Sequence, residues 1–167
     1  INIDRKADGA RTGLVVRGVG PQGLELRPEL KLVEGRWFKP GLREVVVGTG
    51  AQSEFAGLEV GDRVTLREGE WTVVGSFVSG GTANESTLVT DADTLLSAYQ
   101  RTLYNSVRVR LESPAAFAAF RDALTTNPAV SVNVMRETDF YRQATQGLGT
   151  LFLVITNVVG GIMALGA

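Results

Sequence analysis

Residues 148–167 carry no charged side chain and are built largely from Leu, Val, Ile, Phe, Met, Gly and Ala. A hydrocarbon core of roughly 30 Å takes about 20 mainly apolar residues at helical rise, so this run predicts the start of a transmembrane helix. It also predicts a chain cut from inside a membrane protein. Thr156, Gly160 and Ala164 recur every four positions, and Asn157 lies beside Gly161 on an adjoining stripe. Small residues in register, with an amide among them, form the face on which a membrane helix packs closely against a neighbour. A buried helix of a soluble bundle would show a polar face at a 3.6-residue period, and none is visible.

The other end has no initiator Met and no signal-peptide pattern, so Ile1 is expected to be a mid-protein position; with a membrane helix upstream, the residues between would form a large loop on one side of the membrane. Residues 1–13 crowd the charges of Asp4, Arg5, Lys6, Asp8 and Arg11 with little periodicity and read as a polar connector. Residues 14–147 are the right size for one compact domain. The net charge of −1 gives no electrostatic footprint for nucleic acid. With no Cys and no His, disulfides, thiolate chemistry, the commonest zinc ligands and the usual general base are all removed. Arg greatly outnumbers Lys, and Ala and Gly are frequent, a composition typical of GC-rich bacteria.

The pattern predicts an α+β fold in two lobes. A small β-rich lobe, 14–78, holds strands at 14–19, 44–47, 63–67 and 71–77, the last two as a hairpin turned at Glu68-Gly69-Glu70. Trp37 and Phe38 are placed to seal one end of its core. Residues 79–86, rich in Gly, Ser, Thr and Asn, are expected to be a flexible loop between lobes. An α/β lobe, 86–147, reads β-α-β-α-β with a mixed sheet: strands at 87–90, 107–111 and 130–135, one helix capped by Asp91, another started by Ser113-Pro114. A last helix, capped by Thr138 or Asp139, is expected to run into the membrane segment, with Gly147 and Gly149 as hinge candidates.

No catalytic constellation is legible. Asp91 and Asp93 form a carboxylate pair, but capping and the favourable first turn of a helix account for them. Arg108 and Arg110 read as the polar side of a strand whose Val107, Val109 and Leu111 face the core. A phosphate-binding loop needs a GxxxxGK[ST] pattern, and no Lys follows Lys39. No catalytic, metal or cofactor-binding residue is therefore expected.

Several blocks in order carry a family resemblance: Glu34-Gly35-Arg36-Trp37-Phe38, Glu44 through Gly48, Gly57-Leu58 with Val60-Gly61-Asp62, Trp71 through Gly75, then Ser113-Pro114, Phe117 and Arg136-Glu137 before Phe140-Tyr141. Over 14–167 this order resembles the MacB-like periplasmic core domain of FtsX/MacB-type ABC transporter permeases, which sits between the first two membrane helices. The resemblance implies a non-enzymatic permease segment in the bacterial inner membrane, with residues 1–147 on the extracytoplasmic side. It implies a separate cytoplasmic ATPase, a permease dimer partner, contact with membrane lipid, and work such as lipoprotein, peptide or drug export. An extracytoplasmic adaptor or substrate protein is a further implied partner, although residues 79–86 leave little room for the inserted subdomain of the fullest members. Two other classes fit an anchored outer domain: a sensor or ligand-binding module of a signalling protein, and a membrane-linked peptidase, which the missing His, Cys and Ser-Lys pair disfavours.

Overall fold

The charged opening segment is a hairpin and not a connector. The computed structural model describes residues 1–142 other than Pro21, Glu68 and Tyr141. In it β1 (Asn2–Asp4) pairs antiparallel with β2 (Arg11–Gly13). Its charges are spent on pairing: Arg11 lies 3.6 Å from Asp4, Arg5 3.3 Å from Glu54, and Lys6 3.3 Å from Glu59. Ile1 and Ile3 pack against the core, and the Lys6 N–H donates to the Glu54 carbonyl at 2.8 Å. Local periodicity missed the segment because its strands are only three residues each and two of its charge partners, Glu54 and Glu59, stand about 50 residues downstream.

The main sheet is built from β3 (Val15–Val19), β4 (Lys31–Gly35), β5 (Glu44–Gly48), β6 (Arg63–Leu66), β7 (Gly69–Val78) and β8 (Thr87–Asp91). Helix α1 (Thr49–Glu54) follows β5 directly, and α2 (Ala92–Ala98) follows β8. The order is β3-β8-β5-β7-β4, with β6 also paired to β7; β3 with β8 and β5 with β7 are parallel, the other pairs antiparallel. The mixed sheet is thus present, but its strands come from both expected lobes. Strand β8 lies inside the sheet of residues 14–78, so no lobe boundary falls at residues 79–86. The first compact unit instead runs Ile1–Arg110.

Buried on both faces, β5 is apolar without alternation, which is what a central strand requires. Val45 and Val47 join Leu58, Leu66, Trp71, Val73 and Leu88 in one core, while Val46 joins Phe77, Val89 and Phe38 in another. Trp37 lies 6.1 Å from Phe77, so the two adjacent aromatics do close one end of the second core. Strand β7 serves both cores because its register against β5 slips: Val45 faces Val73, but Val46 faces Gly75. The extra residue, Val74, flips the side chains after it, so Trp71 and Val73 point into one core and Phe77 into the other. The slip brings β4 in close. A Cβ on Gly75 would stand 2.5 Å from the Arg36 carbonyl oxygen and 2.7 Å from that of Glu34. Opposite it, Gly35 holds φ +71 as β4 leaves the sheet.

Glu44 opens β5 at 9% exposure, and its charge is fully engaged. The Arg36 guanidinium donates to both carboxylate oxygens, at 2.7 and 2.6 Å, and the Lys39 N–H donates at 2.9 Å. These hydrogen bonds, Arg36's first, hold the Glu44 carboxyl below its ordinary value. A folded-state pKa below the unfolded one adds stability that is complete above the unfolded carboxylate value of about 4.3 and is lost as pH falls through the folded value. We therefore expect the melting temperature of the wild type to fall more steeply than that of Glu44→Gln below about pH 4.3. Parallel curves for the two proteins between pH 6 and pH 3 would remove this pair from the acid response.

Two expected strands are absent. Residues 107–111 and 130–135 take no strand pairing, and Val107 and Val109 are 81% and 50% exposed, not core-facing. Alternation tells which side chains share a face, but a strand exists only where another strand supplies its hydrogen bonds. The β-α-β crossover read between them is therefore not formed among the described residues. The second unit, 111–167, starts with the 3₁₀ turn Pro114–Ala116, which leads into α3 (Phe117–Thr125) as the Ser-Pro signal predicts. Residues 137–140 are helical, and the Arg136 carbonyl accepts from the N–H of Asp139 and of Phe140. The helix therefore begins before Thr138 and Asp139, which lie within its first turn and do not cap it.

Candidate functional site

The carboxylate pair meets at an open cleft of about 880 Å³ whose lining includes Pro40, Gly41, Arg43, Asp91, Asp93 and Thr94. Asp91 ends β8 and caps α2: its Oδ2 accepts from the Thr94 N–H at 3.0 Å, the Thr94 hydroxyl at 2.5 Å and the Gly41 N–H at 3.3 Å. Asp93, in the first turn of α2, accepts from the Tyr104 hydroxyl, and that bond holds the phenol above its ordinary pKa. The two carboxylates are thus occupied by structural donors, one clamping the 40–41 turn onto the sheet and the other fastening residue 104 to α2. Among the described residues no group of three or more Asp, Glu, His or Cys side chains is placed to hold a metal ion.

A second feature escaped the sequence reading. Residues 79–86 form a closed knot seated beside α1. Glu85, in a 3₁₀ turn (Ala83–Ser86), accepts from the Gly81 N–H at 2.9 Å and the Ser79 N–H at 2.6 Å, and these two bonds hold its carboxyl below the ordinary range. Ser79 is 2% exposed, and its hydroxyl meets that of Thr82. The backbone of Gly48 approaches so closely that a Cβ there would lie 2.2 Å from the Glu85 carbonyl oxygen. Gly80 and Gly81, at φ +66 and +75, turn the chain tightly enough for Glu85 to reach back. The small polar residues that suggest flexibility are in fact donors and turn formers around one half-exposed carboxylate. Glu85 itself was the available signal, being the only acid in that stretch.

Arg108 and Arg110 lie in the stretch that forms no strand and are not among the residues lining the Asp91–Asp93 cleft. The proposed helix-packing face, Thr156, Asn157, Gly160, Gly161 and Ala164, and the hinges Gly147 and Gly149 lie outside the described residues. Among the described residues no helix is long and apolar enough to cross a membrane. The geometry at both places is one of carboxylate clamps and close backbone packing.

Residues 2–127 match the family model of the MacB-like periplasmic core domain. No curated protein matches the chain.

Proposed function

The chain belongs to the MacB-like periplasmic core domain family, and from that premise we propose that it is the outer domain and membrane-entry segment of an ABC transporter permease subunit. The family is a component of ABC transporters, which implies a partner ATPase and an extracytoplasmic portion of a membrane protein. In our reading residues 1–147 stand outside the bacterial cytoplasmic membrane and 148–167 begin a transmembrane helix. The subunit is not an enzyme; a separate cytoplasmic ATPase supplies the energy, and two permease subunits act together to drive export or work across the envelope. The family match over 2–127 carries this proposal. The uncharged run at 148–167 supports the membrane segment.

The test uses the absence of cysteine. Ala83 is exposed at the head of the residue 79–86 knot, so Ala83→Cys introduces the single thiol of these 167 residues, and labelling is read as the gain over the parent protein without the substitution. In intact spheroplasts expressing the full protein, a membrane-impermeant maleimide is expected to label it without lysis. Labelling only after lysis would place the domain on the cytoplasmic side and reject the proposal.

A further inference from the structure

We infer that a basic cleft in the second unit docks the phosphate headgroup of an anionic phospholipid at the outer membrane face of the subunit; this rests on the membrane reading of residues 148–167 given above. The cleft has a volume of about 530 Å³, and its lining includes Phe117, Arg121, Met135, Arg136, Asp139 and Arg142. Three guanidinium groups thus stand with the carboxylate of Asp139 and that of Asp122, which pairs with Arg121, leaving one net positive charge beside an apolar wall. Arg136 is held over the Phe117 ring, with its guanidinium carbon 4.8 Å from the centroid. That contact uses the charge of the group and none of its N–H donors. Arg121 pairs with Asp122 at 2.9 Å, and Arg142, among its interactions, with Asp139 at 3.3 Å; the two arginine side chains are 48% and 67% exposed. Exposed pairs of this kind are weak and readily exchanged for a better acceptor. Planar guanidinium forks match phosphate oxygens, and the adjoining Phe and Met suit the glycerol and first acyl carbons of a lipid better than a bare ion.

Position points the same way. Arg142 precedes Leu148 by six residues, a reach of about 9 Å if helical and at most about 20 Å if extended. The headgroup layer adds roughly 6 Å to each side of the hydrocarbon core, so a side chain as long as Arg's can lie in it. Arg and Lys are disfavoured within about 15–20 residues of a membrane span on the outer side. Arg136 and Arg142 both fall in that window. Binding an acidic headgroup gives them a use there.

The test titrates the full chain in a neutral detergent with phosphatidylglycerol, phosphatidylcholine or inorganic phosphate and counts retained adducts by native mass spectrometry. Phosphatidylglycerol is expected to be retained at about tenfold lower concentration than phosphatidylcholine, a preference worth about 1.4 kcal/mol. Arg136→Gln combined with Arg142→Gln is expected to abolish the preference, and Arg121→Gln alone, a surface change, to reduce it by about threefold. Equal retention of the two lipids, or an unchanged preference in both variants, overturns the inference. So does displacement of phosphatidylglycerol by equimolar inorganic phosphate, which would mark a free-anion site. A parallel carbonate wash of the chain in phosphatidylcholine vesicles separates the two readings: release of the wild type there refutes the membrane segment, whereas retention without lipid preference refutes only the headgroup site.

Discussion

Replacing Gly75 with valine is expected to lower the melting temperature of the full chain by about 15 °C or more. The smallest added atom would lie 2.5 Å from one backbone oxygen and 2.7 Å from another, and backbone cannot rotate away as a flexible side chain can. The end of β4 must therefore move. That movement strains the Arg36 N–H bond to the Val74 carbonyl, 2.9 Å long, and shifts Arg36 away from Glu44. Overpacking of this kind costs about 1–3 kcal/mol even where neighbours are side chains, and the lost hydrogen bonds add about 1 kcal/mol each. For a domain near 100 residues each kcal/mol is worth roughly 4–8 °C. Gly13→Ala is the control, since nothing lies within 4 Å of its Cβ position. A Gly75→Val protein melting within about 3 °C of wild type would mean that the β4 crossing is loose and that the register slip is not held by glycine.

The second large effect concerns coupling. The sequence between Asp139 and Leu148 holds no Pro and no Gly/Ser-rich linker, so under the proposed function the membrane helix drives the outer domain directly, as one body about a hinge. Inserting about six Gly and Ser residues between Gln146 and Gly147 is expected to leave the domain folded, because its two cores lie within residues 14–89. Basal ATP turnover of the reconstituted transporter should be largely kept. Export per ATP should fall by about tenfold or more, the loss of roughly 1.4 kcal/mol of coupling between sites. Export at the wild-type ratio would show that the outer domain is not driven through this connection, and passive docking would become the better account.

Much of the fold was legible because its signals are local. The β-branched run at 45–47, the alternation of Val64 and Leu66 with Arg63 and Thr65, and the Asp91 cap each need only a short window, and all are present. The hairpin of β6 and β7 was legible too, but its turn was not: Gly69 and Glu70 already belong to β7, and Arg67 takes φ +55 at the end of β6. What stayed hidden depends on distant partners. The charges of residues 4–11 looked like solvated connector until Glu54 and Glu59 were found beside them. Nothing near residue 87 says that it will pair with both Val15's strand and Val47's. Conversely, 107–111 has the pattern of a strand and lacks a neighbour to make it one. The carboxylates of the candidate site followed the reading of Asp91 and Asp93 as structural, while Glu85 was overlooked because its two donors lie on a loop whose composition suggests mobility.

The place of β8 between β3 and β5 also sets a clock. Val15 has no permanent neighbour until Thr87 arrives, and Val19 none until Asp91, so the sheet cannot close until most of the first unit has left the ribosome and, in the proposed topology, the translocon. Contacts of such long sequence separation slow the search for the native state, and until they form the unpaired edge of β5 is open to any passing strand. Emergence of residue 91 should thus be the point at which a nascent chain changes from sticky and protease-sensitive to resistant, and a biogenesis factor serving this protein would have most to do just before it.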